Sequence, residues 1–103
     1  MPYFLVSFDL RGCYADDSSG VVFARTRREL RAALASEASD IRDAGYIGAN
    51  KRAVSRLAAL AWRHRRNVGE LPFVLPVGQQ PKSRAFGLFV SAISRHDARE
   101  FGR

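Results

Sequence analysis

Cysteine is almost missing from this 103-residue chain. Cys13 stands alone, so no intramolecular disulfide can form, and the scarcity fits a reducing compartment. Histidine is nearly as rare: His64 and His96 lie far apart, and one Cys with two distant His makes no structural zinc set. No apolar run approaches the roughly 18 residues of a membrane span, which argues against an integral membrane protein. The opening Met-Pro-Tyr-Phe-Leu-Val-Ser-Phe has neither a basic leader nor a small-residue cleavage site. A secretory signal is therefore not expected, and a cytoplasmic location is. Internal repeats, low-complexity tracts and linkers are lacking too. So are a phosphate-binding Gly-rich loop and a dinucleotide fingerprint, and no cofactor is implied.

Acidic residues are also in deficit. Seventeen Lys plus Arg face ten Asp plus Glu, a net charge of +7. Residues 1–45 hold six Arg and seven acidic residues, a net of −1, whereas residues 46–103 hold eleven basic and three acidic residues, a net of +8. Such asymmetry favours an anionic partner: nucleic acid, an acidic protein or an anionic membrane surface. Fifteen of the seventeen cations are Arg, whose planar fork suits phosphate, although a GC-rich genome produces the same bias.

What is present reads as one folded domain over 1–103, with 47% hydrophobic and 26% charged residues. A chain this short buries a limited share of its surface, which leaves room for stabilisation by a homodimer. Phe4, Val6, Phe8 and Leu10 alternate with Tyr3, Leu5, Ser7 and Asp9, the period of a strand over 3–10. A loop rich in Gly, Asp and Ser follows to Gly20, and Val21 to Ala24 forms a second strand able to pair with the first as a hairpin. Thr26 and Glu29 have capping-box spacing and open a helix over about 27–44. Leu30, Leu34, Ala38 and Ile41 form its apolar stripe and Gly45 its C-terminal stop. Asn50 caps a second helix expected over about 51–67, so the two helices form a hairpin across Gly45 to Gly48. Leu71 to Val77 is strand-like, but Pro72 and Pro76 confine it to an edge. Ala85 to Ile93 is apolar on both faces and reads as a central buried strand. The charged segment 94–103 reads either as a frayed tail or as a short helix. The expected architecture is α+β: a mixed or antiparallel sheet of three or four strands with a two-helix hairpin packed on one face.

The strongest constellation lies on the second helix. At about 100° per residue, Arg52, Arg56, Arg63 and Arg66 fall within an arc of about 80°, opposite Val54, Leu57, Ala58 and Ala61. No acidic residue occurs between Lys51 and Val68 to pair at i+4. Either an external anion answers this stripe, or Glu37, Asp40 and Asp43 of the first helix neutralise it across the hairpin, or it is simply solvated. With nucleic acid as the partner, guanidinium groups fork onto phosphate oxygens, with Trp62, His64, Lys82 and Arg84 flanking the path. No helix-turn-helix, zinc-finger, glycine-rich RNA clamp or aromatic RNA-binding pattern appears, so backbone contact is expected and base reading is not. The apolar face of this helix is rich in Ala and belongs to a core, which disfavours a membrane-surface helix.

Catalytic patterns are weak, and no catalytic residue is assigned. An RNA-cleaving acid–base pair needs His64 and His96 to converge with a carboxylate or an Arg. Asp16 and Asp17 could contribute to a cation site, but adjacent acids in a Ser/Gly turn read first as turn residues, and Cys13 has no neighbouring nucleophile motif. The first strand, closing Ser-Phe-Asp-Leu, resembles over about eight residues the opening strand of small ferredoxin-like nucleases, where an Asp closes that strand. The order of elements departs from that family, because two helices follow one another here where the ferredoxin-like order separates helices by strands. Three functional readings follow: a binding protein for an anionic partner, with nucleic acid favoured; a protein-interaction module or inhibitor; and, behind both, a small nuclease or hydrolase that needs His64 or His96 in a cleft. The second would use the Arg face or the edge strand near Phe73 to Leu75.

Overall fold

The computed structural model describes residues 2–11 and 19–101. The elements run β1 (Tyr3–Leu10), β2 (Ser19–Phe23), α1 (Arg27–Asp43), α2 (Lys51–Arg63), β3 (Phe73–Val77), β4 (Phe86–Ile93) and α3 (Arg95–Phe101). The four strands make one antiparallel sheet in the order β2-β1-β4-β3. The fold is thus α+β with the helix hairpin on one face, as the patterning implies. Consecutive α1 and α2 confirm the departure from the ferredoxin-like order.

Register explains the two faces. β1 pairs with β4 along its whole length, from Tyr3 opposite Ile93 to Leu10 opposite Phe86. Side chains alternate across a strand, so Phe4, Val6 and Phe8 share a face with Ala92, Val90, Leu88 and Phe86. Phe73, Leu75 and Val77 of β3 join that face through their pairing with Val90, Leu88 and Phe86. Leu30, Leu34, Ala38 and Ile41 of α1 and Val54, Leu57, Ala58 and Ala61 of α2 close the core above it. Each fully buried Leu or Val there contributes about 1.5–3 kcal/mol. β3 is an edge, as its two prolines require. The segment after β4 forms α3, which buries Ala98 beside Tyr3 and Val21 on the opposite face of the sheet.

The hairpin is fixed by local chemistry. Thr26 Oγ1 accepts from Glu29 N–H (3.2 Å), while the Glu29 carboxylate accepts from Arg25 N–H (2.7 Å), one residue earlier than in the usual capping box. Gly45, at φ 93°, ends α1 in a Schellman motif: Tyr46 N–H donates to Ile41 O (3.2 Å) and Gly45 N–H to Arg42 O (2.9 Å). Tyr46 then sits edge-on to Phe8 and Phe86, with ring centroids 5.1 Å from each. Ile47 and Gly78 exchange both backbone hydrogen bonds, tying the helix connection to the end of β3. Asn50 Oδ1 accepts from Ala53 N–H (2.9 Å) and starts α2.

One boundary differs from expectation. α2 stops at Arg63, not near residue 67. A longer helix needs the Trp62 carbonyl to accept from Arg66 N–H. That carbonyl instead accepts from Arg65 N–H (3.2 Å) and Arg65 Nη1 (3.0 Å), with the Arg65 guanidinium 4.7 Å from the Trp62 ring centroid. One Arg thus caps the helix and turns the chain.

Candidate anion-binding face

Arg52, Arg56 and Arg63 project from α2 directly away from its core stripe, and all three are exposed. Arg52 and Arg63 stand eleven residues apart, about 16 Å along the helix axis. Arg66 is exposed but lies beyond α2, so it is not part of the helical stripe. It lines a separate hollow of about 440 Å³ with Arg65, Arg95 and Pro2. Lys82 and Arg84 are exposed in the β3–β4 loop. Arg84 reaches the helix connection, where its Nε is 3.7 Å from the position a Cβ on Gly48 would take. The sequence-expected set is therefore divided: three cations on α2, Arg84 near its N-terminal end, Lys82 on the β3–β4 loop, and Arg66 apart.

No direct contact from α1 answers this stripe among the described residues. Among the described residues, Glu37, Asp40 and Asp43 form no ion pair with the α2 arginines. Helical geometry gives the reason. On α1, Arg28, Arg31 and Arg42 fall within about 60° of one another, while Glu29, Glu37 and Asp40 occupy the other flank. The cationic flank is the one turned toward α2.

That orientation builds a feature absent from the sequence reading. The antiparallel α1 and α2 enclose a groove along their outer side, in two adjoining stretches of about 360 Å³ each that share Arg28, Arg31 and Ser55. Its cations are Arg27, Arg28, Arg31, Arg42 and Lys51. Its floor is made of small side chains, chiefly Ala32, Ala35, Ser55, Ala58 and Ala59. Among the described residues, none that lines it is acidic. Arg42 has a structural duty as well, donating from Nη1 to Ala49 O. The side chains of Arg27, Arg28, Arg31 and Lys51 have no hydrogen-bond or ion-pair partner among the described residues. Both helices also begin with a cation pair, Arg27–Arg28 and Lys51–Arg52, where the helix dipole favours anions. Division of the charge by sequence halves concealed this, because the first half is acidic overall while its basic residues converge on α2.

The other candidates do not assemble. His64 packs its ring 5.2 Å from Phe73, and its Nδ1 lies 2.9 Å from the Asn67 side-chain amide. His96 is exposed on α3, on the opposite face of the sheet, so the two histidines share no cleft. Trp62 is half-buried, 6.3 Å from Phe4 and covered by Arg65, which makes it a core-boundary residue. Asp9 accepts from Leu10 N–H (2.7 Å). Cys13, Asp16 and Asp17 lie outside the described residues. Among the described residues, no group of three or more His, Cys, Asp or Glu is placed to hold a metal ion, and no helix is long and apolar enough to cross a membrane. Compared with protein families, curated proteins and solved structures, the chain matches none of them.

Proposed function

We propose that this chain is a non-catalytic binding protein that docks an anionic partner on the outer face of its helix hairpin, with the phosphate backbone of nucleic acid as the partner class. The observation that carries this reading is a cationic surface with no ion pair among the described residues: Arg52, Arg56 and Arg63 beside a groove edged by five further cations. Keeping so many like charges together costs folding free energy, and an external polyanion is what such a surface is suited to meet. Arg also matches phosphate through two parallel hydrogen bonds. The contact is to backbone and indifferent to sequence, because no aromatic side chain lines the groove among the described residues.

Fluorescence anisotropy of labelled single- and double-stranded RNA and DNA tests it. At about 50 mM salt, where nonspecific phosphate contacts are strong, the wild type is expected to bind and the triple variant Arg52→Gln, Arg56→Gln, Arg63→Gln to bind at least about tenfold more weakly. Absence of binding by the wild type at that salt overturns the reading.

A second reading, a protein-interaction module, is favoured by the sheet edge. Leu71 is 85% exposed beside β3, and Leu60 and Val74 are more than one-third exposed across the α2–β3 boundary. Pro72 and Pro76 discourage strand addition there, so a partner would be held by side chains. Retention of one acidic protein, with no nucleic acid bound, would favour this reading over the first.

A further inference from the structure

We infer that the α1–α2 groove is a seat for a single nucleic-acid strand and gives the protein a preference for single strands over duplex. This rests on the proposed nucleic-acid reading and specifies which form is bound, and where.

Three features of the groove converge on a thin polyanion. It is concave and long: Arg28 and Arg42 stand fourteen residues apart on α1, about 21 Å along the axis. Its walls are cationic on both sides, with Arg28 and Arg31 from α1 and Lys51 from α2. A strand lying between them meets cations left and right, whereas a flat face reaches one side only. Its floor of Ala and Ser lets a chain sink toward the helix backbones.

Width decides between the two forms. Packed helices have axes about 8–10 Å apart, whereas a duplex is a thicker cylinder that carries a major groove about 12 Å wide and a minor groove about 6 Å wide between its two backbones. A duplex therefore rests across the outward ridge of Arg52, Arg56 and Arg63 without entering, and forgoes the groove cations. A single strand enters and gains them. Since no aromatic ring lines the groove among the described residues, the bases are left to solvent. Binding should then be similar for oligothymidylate, oligouridylate and mixed sequences.

The test fills the groove without changing its charge. Ala35 and Ser55 are both exposed on the groove floor, so Ala35→Leu with Ser55→Leu adds bulk there while keeping good helix formers. A second variant, Arg28→Gln with Arg31→Gln, removes charge and leaves the space. Both are compared with wild type by anisotropy on labelled oligothymidylate and oligouridylate of about a dozen nucleotides, within the site range of small single-strand binders, and on a duplex of equal length. Circular dichroism confirms the fold of each.

The wild type is expected to bind single strands at least about fivefold more tightly than duplex. The filled variant should lose that preference, with its duplex affinity within about twofold of wild type, and the charge variant should lose single-strand affinity about tenfold. A filled variant that keeps the wild-type preference overturns the groove as the seat while leaving nucleic-acid binding intact. A wild type that binds no nucleic acid but is captured by polyglutamate overturns both and transfers the groove to an acidic protein partner.

Discussion

Changing Lys51 and Arg52 together to Gln removes two cations from the first turn of α2, where no acidic residue is present. Each sits at the positive end of the helix dipole, an unfavourable placement of about 0.3–1 kcal/mol at low ionic strength. Arg52 also stands one turn from Arg56, a like-charge pair that costs about 0.2–0.5 kcal/mol. Lys, Arg and Gln have nearly equal helix propensity, so the substitution is otherwise neutral. Neither side chain has an ion-pair or hydrogen-bond partner among the described residues to lose. Taking the lower part of these ranges for exposed positions, the double variant should be more stable by about 1 kcal/mol. In a domain of this size that raises Tm by roughly 4–8 °C.

The assay is urea and thermal unfolding followed by circular dichroism at about 10 mM and about 1 M NaCl, where the Debye length is about 30 Å and about 3 Å respectively. The gain should be present at low salt and absent at high salt, while affinity for nucleic acid moves the other way and falls. A variant less stable than wild type at low salt refutes the reasoning, because it means these cations have partners in the folded chain and are not held ready for an external one.

Two further perturbations probe the frame that positions the face. Gly48 has φ 109°, and a Cβ there would lie 2.7 Å from the Pro76 carbonyl oxygen; Gly48→Ala should cost about 1–3 kcal/mol, seen as a lower urea midpoint, and an unchanged midpoint would contradict the packing of the helix connection on β3. Leu34 is wholly buried between α1 and the sheet, so Leu34→Ala should cost about 2–5 kcal/mol. A loss below about 1 kcal/mol on denaturant unfolding would mean α1 does not seal the core.

The architecture was largely legible because each element obeys a local rule. Period-two alternation marks β1, Thr26 and Gly45 bracket α1, Asn50 opens α2, and Pro72 with Pro76 places β3 at an edge. The end of α2 was not legible, since residues 64–67 contain no Gly or Pro; the helix is stopped by Arg65 taking the Trp62 carbonyl, a contact that no propensity encodes. This is why Arg66 reads as part of the stripe yet stands off it. The outward direction of Arg52, Arg56 and Arg63 followed from the apolar positions opposite them. The groove did not follow. A helical wheel of α1 separates Arg28, Arg31 and Arg42 from Glu29, Glu37 and Asp40, but which flank meets α2 depends on how the hairpin lies on the sheet. That Glu37, Asp40 and Asp43 make no ion pair with the α2 arginines has the same cause: proximity in sequence says nothing about the side on which a neighbouring helix packs.

The salt dependence of nucleic-acid affinity, compared between wild type and the Arg52→Gln, Arg56→Gln, Arg63→Gln variant, tests the central claim most directly. On duplex DNA each phosphate contact contributes about −0.9 to the slope of log affinity against log salt, so losing three should flatten it by about 2.7. A variant whose slope and affinity match those of the wild type would show that this basic face does not meet phosphate.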